Sequence, residues 1–124
     1  MHAVLTTPTF ERQAKAAGLT EDEITDIVTW LAANALAGDL IVGTGGARKV
    51  RFRRPGKGKS GGYRTIHFYA GEDVPVFLLA LVDKGQRANL SKAERNELSK
   101  LLPQIADAYR RGVAERVVTL RRRS

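Results

Sequence analysis

Between Ala47 and Arg64 stand eight basic side chains and no acidic one: Arg48, Lys49, Arg51, Arg53, Arg54, Lys57, Lys59 and Arg64. Val50 and Phe52 interrupt the first half of the run, and glycines 56, 58, 61 and 62 the second. Successive side chains of a strand point to opposite faces. Val50 and Phe52 therefore face a core, while Lys49, Arg51 and Arg53 project together from the other side. A cationic row built on a rigid sheet suits a phosphate backbone. Arginine also outnumbers lysine fourteen to seven, and Arg grips phosphate bidentately where Lys acts as a point charge.

Other motifs weigh less. Gly56-Lys57-Gly58-Lys59-Ser60-Gly61 matches G-x-G-x-x-G in form, but a strand follows it instead of a helix and no βαβ unit surrounds it. Its glycines fit a hairpin loop that needs positive φ, or a loop that closes Lys57 and Lys59 onto a phosphate chain. Gly43-Thr44-Gly45-Gly46 reads as a turn into a strand or as a nest of backbone N–H groups for an anion. His67 alternates away from Ile66 and Phe68, so it is expected to be exposed and open to acid–base work or to a structural role. Glu72 and Asp73 fall in a turn, and Asp83 beside Lys84 reads as a local ion pair. No Ser/His/Asp set and no metal-ligand spacing can be assembled. No metal or cofactor is expected.

The positioning elements follow from periodicity. Thr9 to Ala17 reads as a short helix ended by Gly18. A second begins at Thr20, where Thr20-Glu21-Asp22-Glu23 has capping-box form with three acids in the first turn. Ile24, Ile27, Val28 and Leu31 recur at helical spacing, with Trp30 beside them as core or partner contact. Three strands are predicted, Arg48 to Arg53, Tyr63 to Tyr69 and Val74 to Val82, the last an apolar run buried on both faces. Ala70-Gly71-Glu72-Asp73 makes the last two a hairpin, with Pro75 at a strand start or edge. A final helix opens at the capping box Ser91-Lys92-Ala93-Glu94. Its stripe, Leu98, Leu101, Leu102, Ile105 and Tyr109, runs to Gly112, with a kink or two abutting helices at Pro103.

Bulk properties agree with one domain. An apolar content of 43% over 124 residues supports a single modest core and lies far above that of a disordered chain. With no cysteine, disulfide frameworks and thiolate zinc sites are excluded. No run approaches the ~18 apolar residues of a membrane span, so a soluble cytoplasmic protein is expected. The net charge of +8 is uneven: −4 over residues 1–46, +8 over 47–64, −2 over 65–84 and +6 over 85–124. An acidic front with a basic centre and tail points to a polyanionic partner.

The stretch Gly43-Thr44-Gly45-Gly46-Ala47-Arg48-Lys49-Val50-Arg51-Phe52, followed by Gly56-Lys57-Gly58-Lys59-Ser60-Gly61-Gly62-Tyr63-Arg64, closely resembles the RelE/HigB toxins of type II toxin–antitoxin pairs, in particular a HigB-like branch. The order of elements agrees as well. The resemblance implies an α+β, microbial-ribonuclease-like fold: two N-terminal helices, a small antiparallel sheet of three to four strands and a C-terminal helix. It covers residues 1–112, leaving 113–124 as a basic tail that is a strand, a helix extension or disordered.

The activity it implies is ribosome-dependent cleavage of mRNA in the A site by attack of the 2′-hydroxyl, without a metal. A cognate antitoxin, itself DNA-binding, would hold it inactive; no membrane partner is implied. Carried over by position, Lys49, Arg51 and Arg64 are catalytic, Arg53 is a third member of the strand row, and Lys84 sits near the site. Arg48, Arg54, Lys57 and Lys59 hold RNA, with Tyr63 and His67 as further contacts. Where the family commonly has a basic residue and Asn, this chain has Asp83-Lys84-Gly85-Gln86, which leaves His67 as an alternative base; Tyr109 does not align to the C-terminal tyrosine of some relatives. The competing readings are a ParE-like inhibitor of DNA gyrase and a non-catalytic nucleic-acid-binding module with Tyr63 and Tyr69 as stacking platforms. The row Lys49/Arg51/Arg53 with Arg64 favours RNA cleavage.

Overall fold

The computed structural model describes residues 2–53, 62–83 and 90–123, with the backbone alone for Asp83 and residues 114–123. The elements run β1 (Val4–Thr6), α1 (Pro8–Ala16), α2 (Glu21–Ala33), β2 (Asp39–Leu40), β3 (Ala47–Phe52), β4 (Tyr63–Phe68), β5 (Val76–Asp83) and α3 (Lys92–Arg123). They build one sheet in the order β1-β5-β4-β3-β2. The β1–β5 pair is parallel and the others antiparallel. The α+β class holds, but the sheet has five strands and is mixed. The two extra strands, of three and two residues, are too short to show a period.

Local chemistry starts each helix. Thr7 caps α1 by accepting the Phe10 N–H at 3.1 Å, and its hydroxyl donates to the Leu79 carbonyl at 2.9 Å, tying the cap to β5. Pro8, at the first helical position, loses no bond there. Gly18, at φ +76°, turns the chain out of α1. In α2 both arms of the Thr20/Glu23 capping box form, each at 3.1 Å. Ser91 and Glu94 repeat the box before α3, at 2.9 and 3.2 Å. Helix α3 continues through Pro103 to Arg123 as one element, so residues 113–123 extend the helix. Proline costs it the amide hydrogen bond to the Ser99 carbonyl, without dividing it in two.

Two cores flank the sheet. On one face Phe10, Ala14, Ile27 and Leu31 of α1 and α2 pack on Val50, Tyr63, Leu78 and Leu81. On the other, Leu102 and Ala106 of α3 pack on Ala47, Ile66, Phe68, Phe77 and Leu79. A register shift explains how β5 serves both: Ile66 pairs with Ala80 but His67 with Leu78, leaving Leu79 as the extra residue of a bulge. Pro75 precedes β5, where no ladder bond is lost.

The β4–β5 turn is tied to α3 by a bidentate pair, Arg110 Nε to Asp73 Oδ2 at 2.6 Å and Nη2 to Oδ1 at 3.2 Å. The guanidinium bond holds the Asp73 carboxyl below its ordinary range. Both side chains are largely in water, where such pairs contribute little and are screened by salt. Arg110→Ala is therefore expected to lower Tm slightly at low salt. The difference should vanish near ~1 M salt, as a thermal melt at both ionic strengths would show.

Candidate functional site

Strand alternation puts Lys49 and Arg51 of β3 on the sheet face that α3 partly covers, and Arg64 of β4 beside them. The β3–β4 register sets Arg51 directly across from Arg64 and Lys49 across from Ile66. Directly opposed residues hold their Cβ atoms about 5 Å apart, and like charges so placed weaken a sheet. Three cations thus share one face of the sheet. Lys49 and Arg64 are half-buried and Arg51 is exposed. Half-buried cations lose less freedom when a ligand arrives and need less solvent reorganisation. At the rim stands one carboxylate, Asp39 of β2, paired in register with Lys49 and lining the same hollow as Lys49, Arg51 and Arg64.

The hollow continues into a cleft of about 320 Å³ between the sheet and the start of α3. Its walls are Leu40, Ile41, Val42, Ile66, Val82 and Leu90, and its charged groups are Lys49, Arg64 and Arg95. The Gly43–Gly46 turn follows Val42 in the chain. Thr44 is fully buried there, donating to the Ile41 carbonyl at 2.7 Å and accepting the Ala47 N–H at 3.0 Å. Gly43 and Gly45 adopt φ +85° and +82°. The segment is thus a turn leading into β3. Among the described residues no group of three or more His, Asp or Glu is placed to hold a metal ion, and no helix is long and apolar enough to cross a membrane.

The chain matches a known family over nearly its whole length. A family model described as the RelE toxin of the RelE/RelB toxin–antitoxin system matches residues 2–119. The chain belongs to the RelE toxin family. It is therefore a toxin of a toxin–antitoxin system, and an antitoxin partner comes with that membership. The match runs past Gly112, further than the resemblance read from the sequence.

Within this RelE-family chain, several expected site residues fall elsewhere. His67 is fully buried, its Nε2 2.9 Å from the Ala35 carbonyl. Alternation gave its face correctly. That face is covered, however, because α1 and α2 pack on it. Tyr63 is buried in the same core. Neither ring is open to an RNA base, so both lose their place as nucleic-acid contacts, and His67 its place as alternative base. Tyr69 is half-buried and tilted against His2, with ring centroids 4.7 Å apart. Arg48 points to the opposite face from Lys49, its Nη1 donating to the Gly38 carbonyl at 3.1 Å. Arg53 lies one residue beyond β3, exposed, and lines a groove with Glu23, Asp26 and Trp30 on the α2 side instead of joining Lys49. Arg54, Lys57, Lys59 and Lys84 lie outside the described residues.

Burial drives the His67 pKa below 6.5, aided by the Arg48 charge and only partly offset by the Ala35 carbonyl. The native state then holds a neutral imidazole that the unfolded chain would protonate. Stability is full above pH 6.5 and falls as pH drops from there through the folded pKa, with a slope of at most about 1.4 kcal/mol per pH unit. Urea unfolding of wild type from pH 6.5 down to about pH 4.5, above most carboxylate titration, should show this loss. His67→Phe should flatten the curve. A parallel decline in the variant would assign the loss to other groups.

Two site residues escaped the sequence reading: Asp39 and Arg95. Asp39 lay in a stretch without periodicity. For Arg95 a signal existed. A cation in the first turns of a helix opposes the macrodipole, and Lys92 and Arg95 both stand at the N-terminal end of α3.

Proposed function

We propose that this toxin is a ribosome-dependent mRNA endoribonuclease of the HigB-like branch, cutting message in the A site within the cytoplasm until a cognate, DNA-binding antitoxin occupies it. The observation that carries this reading is the cross-strand placement of Arg51 opposite Arg64, with Lys49 on the same face. Cleavage by an RNA's own 2′-hydroxyl needs that hydroxyl deprotonated, in-line geometry and stabilisation of the charge growing on phosphorus. Arg51 and Arg64 supply donors to the non-bridging oxygens, preorganised by the sheet. Lys49 holds the same phosphate from the same face of β3, and its ammonium is the proton donor we assign to the leaving 5′-oxygen as the bond from phosphorus breaks. Asp39, the carboxylate lining this hollow, is the acceptor for the 2′-hydroxyl proton.

The test is inducible expression with message 5′ ends mapped while gyrase supercoiling is assayed in parallel. Cuts at codon positions that require translation support the reading. Intact messages with inhibited supercoiling would replace it with the ParE-like activity, and neither effect would leave a binding module. Ribosome or RNA binding should weaken as salt rises, because phosphate contacts release counterions.

A further inference from the structure

Arg51 also lines a second groove, which runs between α2 and the end of β3 and measures about 400 Å³. Its floor is apolar, made by Ile27 of α2 with Val50 and Phe52 of β3. At its wall stands Trp30, the chain's one tryptophan. The indole is 41% exposed and sits edge-on to Phe52, with ring centroids 5.4 Å apart. A large ring backed by a second ring, yet left partly in water, has the makeup of an interface anchor.

The two lips of this groove carry opposite charge. On α2, Asp26 lies four residues before Trp30 and therefore on the same helix face. Glu23 stands beside it, one carboxylate oxygen accepting the Thr20 N–H of the capping box. On β3 the lip is Arg51 and Arg53, both exposed. Asp26 and Arg53 form no ion pair with any described residue. The acidic lip decides the class of occupant, because Asp26 and Glu23 repel phosphate and a nucleic-acid strand suits only the other lip. A polypeptide suits both, bringing a cation and a carboxylate on either side of an apolar side chain. Family membership supplies such a polypeptide, the antitoxin. We propose that the groove seats a short antitoxin segment whose bulky apolar side chain packs on Trp30 and Phe52, whose cation meets Asp26 and whose carboxylate pairs with Arg53 and Arg51. Arg51 lines both the groove and the phosphate hollow, so the seated segment withdraws its guanidinium from the hollow without entering it. That consequence rests on the endoribonuclease reading. The docking does not.

The test labels the full chain with fluorotryptophan, which places its only fluorine at Trp30, and titrates it with the purified cognate antitoxin. The fluorine resonance should shift and lose its sensitivity to heavy water at saturation. A resonance that keeps its position and exposure in the saturated complex would overturn the proposal. So would a shift produced by concentrating the toxin alone, which makes a second copy the occupant, or by an RNA oligonucleotide and not by the antitoxin. Asp26→Lys sets like charges against the segment, so calorimetry should show antitoxin binding weakened about tenfold, with cleavage by the free toxin unchanged. At the antitoxin concentration that just silences wild type, this variant should still cut message. Trp30→Ala, checked for folding by a thermal melt, should lose about 10–100-fold in affinity. Wild-type affinity in Asp26→Lys and in a folded Trp30→Ala would sink the groove as the docking site. If the resonance shifts and the affinities fall, but wild type cuts no message, the endoribonuclease reading fails and the docking stands.

Discussion

Arg64→Ala is expected to lower translation-dependent message cleavage by about 10²–10³-fold, while changing the unfolding free energy by no more than ~1 kcal/mol. The first half follows from position. Arg64 stands across from Arg51 and lines both the hollow and the cleft, so its loss removes a preorganised donor from the centre of the cluster. The second half follows from the sheet. The two arginines repel across the strands, and relief of that repulsion offsets the packing that the aliphatic part of the side chain gives up. Arg64→Lys separates charge from geometry: it keeps the charge and loses the planar fork, so activity should remain well below wild type. Cleavage in a translating extract, read beside urea unfolding, decides the matter. An Arg64→Ala protein that unfolds would make Arg64 structural, and one that cuts at the wild-type rate would move the chemistry off this face.

How far the site was legible depends on which physical rule governs each residue. Alternation along β3 is local, so Lys49 and Arg51 share a face whatever surrounds them. The pairing of Arg51 with Arg64 is not local, because it depends on the register across a glycine-rich connection whose composition does not fix a length of turn. His67 shows the limit from another side. Its strand face was readable, but exposure depended on α1 and α2 packing there, and an apolar stripe on a helix does not state which side of a sheet it covers. The bulge at Leu79 likewise has no signature in a continuous apolar run. Arg53 was misplaced because its strand ends at Phe52, one residue short of the expected boundary.

Gly38→Ala is expected to be the most damaging glycine-to-alanine substitution among the described residues, although Gly38 itself does no chemistry. Gly38 adopts φ +89°, a conformation that costs other residues about 1–2 kcal/mol. A Cβ there would also run into the Lys49 carbonyl and stand 2.6 Å from Val50 Cγ2. Backbone cannot swing aside as a surface side chain does, so β3 must shift, adding about 1–3 kcal/mol of overpacking. The expected loss is about 2–5 kcal/mol in total, a large share of a small domain's stability. Gly45→Ala is the control. Its φ is +82°, but the nearest atoms, in the Ser99 backbone, would be 3.8 and 4.0 Å away, so the cost should stay near 1 kcal/mol. Equal losses in the two variants would show that φ alone matters and that the contact with Lys49 is not tight. A larger loss at Gly38 means that the close approach of β2 to β3 fixes the backbone of Lys49, and with it the pairing of Asp39 and Lys49. Any Gly38→Ala protein that still folds should then cut message poorly with every cationic side chain in place.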